Sequence, residues 1–170
     1  MGQILIPPKY LEKIDSPVIF LAGPIQGVHP WQDEAIKIIQ SIDSRLYIAN
    51  PRRAAETKGD FTTEMYNEQV DWETFHLRKA GENGCILFWL AKETKHDCSR
   101  AYAQTTRFEL AEWKMRHELL KANLVIGIED GFTGAKYIRR RLMQDCPEVS
   151  VCDSLEETCK KAAELAYLKH

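Results

Sequence analysis

Two glutamates stand at positions where a carboxylate calls for an explanation. Tyr66, Val70, Leu77 and Ala80 share one face of a helical pattern at i, i+4, i+11 and i+14, and the missing member of that stripe, i+7, is Glu73. A carboxylate in the middle of an apolar face is costly unless it is hydrogen-bonded or functional. Asp71, two residues earlier, points off the stripe towards solvent. Thr106-Arg107-Phe108-Glu109 has the S/T-x-x-E form of a capping box, so Glu109 reads first as a helix cap. It carries a second meaning as well. A carboxylate in the first turn of a helix feels the positive end of the dipole and stays ionised, which is what a carboxylate nucleophile needs. Glu112 is explained by Arg116 four residues on. From spacing alone, Glu73 and Glu109 each keep a structural and a catalytic reading.

Other groups cluster near turns. Gly23-Pro24-Ile25-Gln26-Gly27 closes an apolar run, and its backbone N–H groups and Gln26 could approach a phosphate or sugar. Arg52 and Arg53 could neutralise a phosphate or simply face solvent. Trp89 ends another apolar run and could stack on a base. The patterns GxGxxG, GxxxxGK[ST] and GxSxG are absent, which argues against a dinucleotide oxidoreductase, a P-loop nucleotidase and a serine-elbow hydrolase. The five cysteines include no CxxC pair, and Cys85 reads as a small buried hydrophobe. His96 and Cys98 are too few ligands for zinc. Neither metal nor cofactor is expected.

These residues need elements to position them. Apolar runs at 18–22, 46–49, 85–90, 124–128 and 149–152 read as strands. Helical spacing covers 31–42, 63–80, 106–122, 135–144 and 155–169, the last capped by Asp153-Ser154. Five strands alternating with five helices predict a doubly wound α/β fold, with a five-stranded parallel sheet in a flavodoxin-like three-layer sandwich of strand order 2-1-3-4-5. Residues 1–16 are expected to form an N-terminal arm, and 17–170 a single domain. The loops at 50–62 and 91–105 follow the second and third strands, at the carboxyl ends where open α/β sheets bind ligands. One pocket surrounded by the ends of the first three strands is therefore expected.

Composition narrows the function classes. The chain has 170 residues, 44% hydrophobic, enough for one core. Its 23 basic and 25 acidic residues nearly cancel, leaving no global field to hold a nucleic-acid polymer. The longest apolar stretch, 18–25, is too short to cross a bilayer. No signal-peptide pattern opens the chain, and Ile6 stands where a myristoylation motif wants Ser or Thr. A cytoplasmic protein is expected.

Taken in order, the segments Phe20 to Ile25, Trp31, Asn50 to Arg53, Gln69 to Glu73, Ile86 to Trp89 and Thr106 to Leu110 resemble the nucleoside 2-deoxyribosyltransferase family, in particular its short single-domain branch. The resemblance implies that Glu109, followed by Leu110-Ala111, is the nucleophile. It implies that Glu73, before Leu77 and Ala80, is the second carboxylate, where most members have Asp. Phe20 stands where many members carry a tyrosine that orients the nucleophile, and Ala103 where they carry a sugar-binding Asp or Ser. Asp97, Ser99 and Tyr102 are candidate substitutes in a rearranged 91–105 loop. Phe20, Gly23, Pro24, Gln26, Arg52, Asp71, Trp89 and Thr106 are the candidate substrate contacts. The implied reaction is a retaining cleavage of an N-glycosidic bond through a glycosyl-glutamate, with transfer to another base or to water. The implied partners are a nucleoside or nucleotide, a free nucleobase and further copies of the chain in a homodimer or higher homo-oligomer.

Two rivals remain from the residues themselves. A nucleoside 5′-monophosphate N-glycosidase would use Arg52, Arg53 or Gln26 at the phosphate. In a non-catalytic nucleotide-binding module, Glu73 and Glu109 would be a structural carboxylate and a cap.

Overall fold

The computed structural model describes residues 2–11, 13–53 and 62–168. The elements in chain order are β1 (Ile4–Leu5), β2 (Val18–Ala22), α1 (Trp31–Ile42), β3 (Tyr47–Ala49), α2 (Thr63–Glu82), β4 (Gly84–Leu90), α3 (Gln104–Leu120), β5 (Leu124–Ile128), α4 (Ala135–Asp145), β6 (Val151–Cys152) and α5 (Leu155–Leu165). All strand pairings are parallel, in the order β1-β3-β2-β4-β5-β6. The five strands read from the sequence take the expected 2-1-3-4-5 order. The sixth, β1, comes from the segment expected to be only an arm, and it pairs Ile4 with Ile48 and Leu5 with Ala49 on the free edge of β3.

Burial on both faces explains the near-continuous apolar strands. Val18, Phe20 and Ala22 of β2 and Ile86, Phe88 and Leu90 of β4 point to one face, beneath Trp72, Leu77 and Ala80 of α2 and Leu110 and Trp113 of α3. Ile19, Leu21, Cys85, Leu87 and Trp89 point to the other, against Trp31, Ala35 and Ile39 of α1 and Cys159 and Ala162 of α5. A Cβ on Gly81 of α2 would run into the Trp113 ring, so glycine here lets α2 and α3 pack closely. Ser154 caps α5 by accepting from the Glu157 N–H at 3.2 Å. Among the described residues, no helix is long and apolar enough to cross a membrane.

The N-terminal segment is tied to the domain beyond β1. Trp72 is fully buried, and its Nε1 donates to the Lys9 carbonyl at 2.9 Å. Tyr10 lies edge-on to Phe75 at 5.2 Å and stacks on His76 at 5.7 Å. Trp72→Ala should cost about 3–5 kcal/mol, the usual loss for a large buried aromatic. Urea denaturation will read that loss. Limited trypsin digestion should then cut first near Lys9, and unchanged cleavage there would show that Trp72 does not hold the segment.

Candidate functional site

Glu109 is not a helix cap. α3 begins two residues before Thr106, with Ala103 as its N-cap in the left-handed region (φ 54°) and no side-chain cap bond. Thr106 is thus already helical and buried, and Glu109 falls in the second turn, partly buried. The expectation that a first-turn dipole keeps Glu109 ionised is corrected with it. Burial, then the charge of Glu73 and then that of Glu112, push the Glu109 carboxyl from 4.5 up to about 8. Glu112 itself pairs with Arg116 at 2.8 Å, as its spacing predicts.

The apolar stripe proposed for α2 is also redrawn. Tyr66 and Val70 are exposed, and the helix instead buries Trp72, His76, Leu77 and Ala80. Glu73 lies on the border of that face, partly buried. Its carboxyl is raised by burial, against the lowering effects of a Gln69 hydrogen bond and the nearby Arg53 charge. Gln69 Nε2 donates to Glu73 Oε1 at 2.7 Å and to the Pro51 carbonyl at 2.8 Å. Glu73 is therefore tied to the carboxyl end of β3, and it lies within electrostatic reach of Glu109. The two glutamates singled out separately in the sequence form one interacting pair. Among the described residues, Glu73 has a donor and a cation beside it and Glu109 has neither, so the proton that the pair retains near neutrality belongs on Glu109.

The remaining candidates divide. Phe20 is buried on the same sheet face as the pair and packs on Trp72, with ring centroids 6.2 Å apart. A Cβ on Gly23 would strike the Trp89 carbonyl and the Trp31 ring, and the Pro24 carbonyl accepts from Trp31 Nε1 at 2.9 Å. Both residues hold the turn after β2 against α1. Gln26 and Asp71 are exposed. Trp89 is buried on the α1/α5 face, opposite the carboxylates, so stacking on a base beside them is excluded for its ring. Its Nε1 has no hydrogen-bond partner among the described residues.

The arginines differ in a way their adjacency hides. Arg53 donates from Nε to Gln69 at 2.8 Å and from a terminal nitrogen to Glu68 at 2.8 Å and the Met65 carbonyl at 3.1 Å. Arg52 keeps a buried Nη1 with no partner among the described residues. Gln69 and Arg53 are the contributors whose roles the sequence left unread. In the 91–105 loop, Asp97 accepts from the Ser99 N–H and hydroxyl, and the Tyr102 hydroxyl donates to the Ala91 carbonyl at 2.6 Å. Thr94 and Lys95 fasten that loop to the Gly27 carbonyl.

Two clefts among the described residues, of about 250 and 310 Å³, open at the amino end of the sheet, and neither carboxylate lines them. The pocket expected at the carboxyl ends of the first three strands is not one of these. Much of the loop after β3 lies outside the described residues. No group of three or more His, Cys, Asp or Glu is arranged to hold a metal ion among the described residues.

Residues 16–131 match the family model described as nucleoside 2-deoxyribosyltransferase like. The chain belongs to that family. A search of curated proteins returns no match. The matched span runs from just before β2 to just after β5, and so contains both carboxylates, Gln69 and both arginines. For this member of the nucleoside 2-deoxyribosyltransferase-like family, the pair has a thermodynamic signature. The raised Glu109 carboxyl keeps its proton in the native state, whereas the unfolded chain loses it above about 4.5. That contribution to stability is complete below the unfolded value and is lost as pH rises towards 8. Glu109→Gln should therefore match the wild type near pH 4.5 and become the more stable protein towards pH 8. A gain of about 1 kcal/mol would appear as ~2–4 °C in Tm for a chain of this size. Parallel Tm-against-pH curves would contradict the raised carboxyl.

Proposed function

We propose that the protein cleaves the N-glycosidic bond of a (deoxy)nucleoside through a covalent glycosyl-Glu109 and passes the sugar to another base or to water. The observation that carries this reading is the coupled, partly buried pair Glu73–Glu109, in which one charge raises the other group's affinity for its proton. Two nearby carboxyls in one desolvated space retain a single proton at neutral pH, so one can act as acid while the other attacks. In the first step Glu109 forms a bond to C1′ as the C1′–N bond breaks and Glu73 delivers a proton to the leaving base. Before this step the proton has to move from Glu109 to Glu73. In the second step the acceptor's nitrogen or oxygen bonds to C1′, its proton goes to Glu73 and the ester bond breaks. Among the other candidates, Thr106, Gly23, Pro24 and Phe20 would bound the site through backbone and shape, with Gln26 and Asp71 at its solvent side.

The buried Arg52 Nη1, without a partner among the described residues, favours a second reading, a nucleoside 5′-monophosphate as substrate, because such a donor suits a phosphate oxygen. Exposed Phe108, Met115 and Leu119 at i, i+7 and i+11 on α3 support assembly into a homo-oligomer, for which sedimentation of the purified chain is the test.

Product analysis with a panel of nucleosides and their monophosphates, with and without a free base, tests both substrate readings at once. Glu109→Ala should abolish base release, and Glu73→Gln should slow it by about 10²–10⁴-fold. A slow 2-fluoro-substituted substrate should leave a covalent sugar on the peptide containing Glu109. Arg52→Met should selectively weaken monophosphate cleavage, by ~10–100-fold for one lost charged hydrogen bond. An active Glu109→Ala variant without any adduct would sink the mechanism.

A further inference from the structure

Gln69 sits one turn before Glu73 on α2, and both ends of its amide are occupied. Its NH2 donates to Glu73 Oε1 and the Pro51 carbonyl, and its Oε1 accepts from Arg53 Nε. Arg53 is itself held by the Met65 carbonyl and Glu68. An amide can in principle turn over and exchange donor for acceptor. Turned over here, its oxygen would face a carboxylate and a carbonyl while its NH2 faced a guanidinium, so three attractive contacts would become three repulsive ones. The amide has one orientation, and an NH2 group offers no lone pair to accept a proton.

We propose that Gln69, its amide oriented by Arg53, is a positioning residue that assigns the two oxygens of Glu73: Oε1 remains an acceptor, and Oε2 carries the proton exchanged with the base. The inference rests on Glu73 acting as the acid–base group. As the C1′–N bond breaks, the Oε2–H proton passes to the base nitrogen and leaves the carboxylate anion, whose Oε1 still accepts from Gln69. In the return step Oε2 takes the proton from the acceptor. The same hydrogen bond stabilises the anion that remains after each donation, so it helps release the proton as well as aim it.

The test uses the full chain, ¹³C-labelled at the glutamate carboxyls, with Glu73→Gln to assign its signal. Gln69→Leu removes all three amide hydrogen bonds at similar volume. The Glu73 titration midpoint should rise by about 1–2 pH units, and kcat for base release should fall ~10–100-fold with KM little changed, the scale of one lost charged hydrogen bond. Arg53→Met leaves Gln69 in place but frees its amide, and should move the midpoint in the same direction by less. This variant keeps the proposal testable if Gln69→Leu fails to fold. A wild-type protein that cleaves nothing in the panel would overturn the acid–base role of Glu73, and the assignment of its oxygens with it. A wild type that cleaves, with folded variants whose Glu73 midpoint and kcat do not move, would overturn the role of Gln69 alone.

Discussion

Holding two partly buried glutamates on α2 and α3 within electrostatic reach of each other sets the terms for everything around them. Burial alone disfavours charge on either group, and the charge of Glu73 disfavours it further on Glu109. One proton and one negative charge are what such a pair holds most easily near neutrality. The surroundings decide where that charge rests. Gln69 and Arg53 attend Glu73, whereas Glu109 meets no hydrogen-bond donor among the described residues. The protein is thus biased away from an ionised Glu109.

The scaffold brings the pair together by two local devices. Successive β-α-β units in a parallel sheet put α2 and α3 side by side on one face, and Gly81 lets the Trp113 ring close the gap between them. The start of α3 then sets the rotation of Glu109. Because Ala103 adopts the left-handed region and the helix begins at Gln104, Glu109 lies a full turn in from the helix tip. There it looks into protein rather than out over the helix end. Two or three residues' difference in a helix start separates an exposed cap from a half-buried carboxyl.

Much of the fold was legible because strands buried on both faces are written as unbroken apolar runs, and 124–128 and 18–22 were read to the residue. The short strand β1 was not, because two residues carry no period. The candidate site was legible only in part. Glu73 drew notice as a gap in a stripe of Tyr66 and Val70, yet those two are exposed, and the buried line runs through Trp72 and His76. A histidine inside a helix does not advertise burial; here its ring lies tilted against Trp72, centroids 4.0 Å apart. Thr106 and Glu109 satisfied the spacing of a capping box, while the residue that starts the helix, an alanine at positive φ, has no sequence signature. The Gln69–Glu73 bond has the i, i+4 spacing of a helix pair, but those from Gln69 to Pro51 and from Arg53 to Gln69 cross between a loop and a helix, so no spacing rule announces them.

The sheet ends on both sides in a strand of two residues, Ile4–Leu5 at one edge and Val151–Cys152 at the other. A strand that short leaves only a few unpaired backbone groups facing outwards, too few to template the strand of another molecule. The long interior strands, which would stack readily if bared, are each covered on both flanks. The route that leads from a hydrophobic sheet to fibrous aggregates is thus disfavoured at its two points of entry.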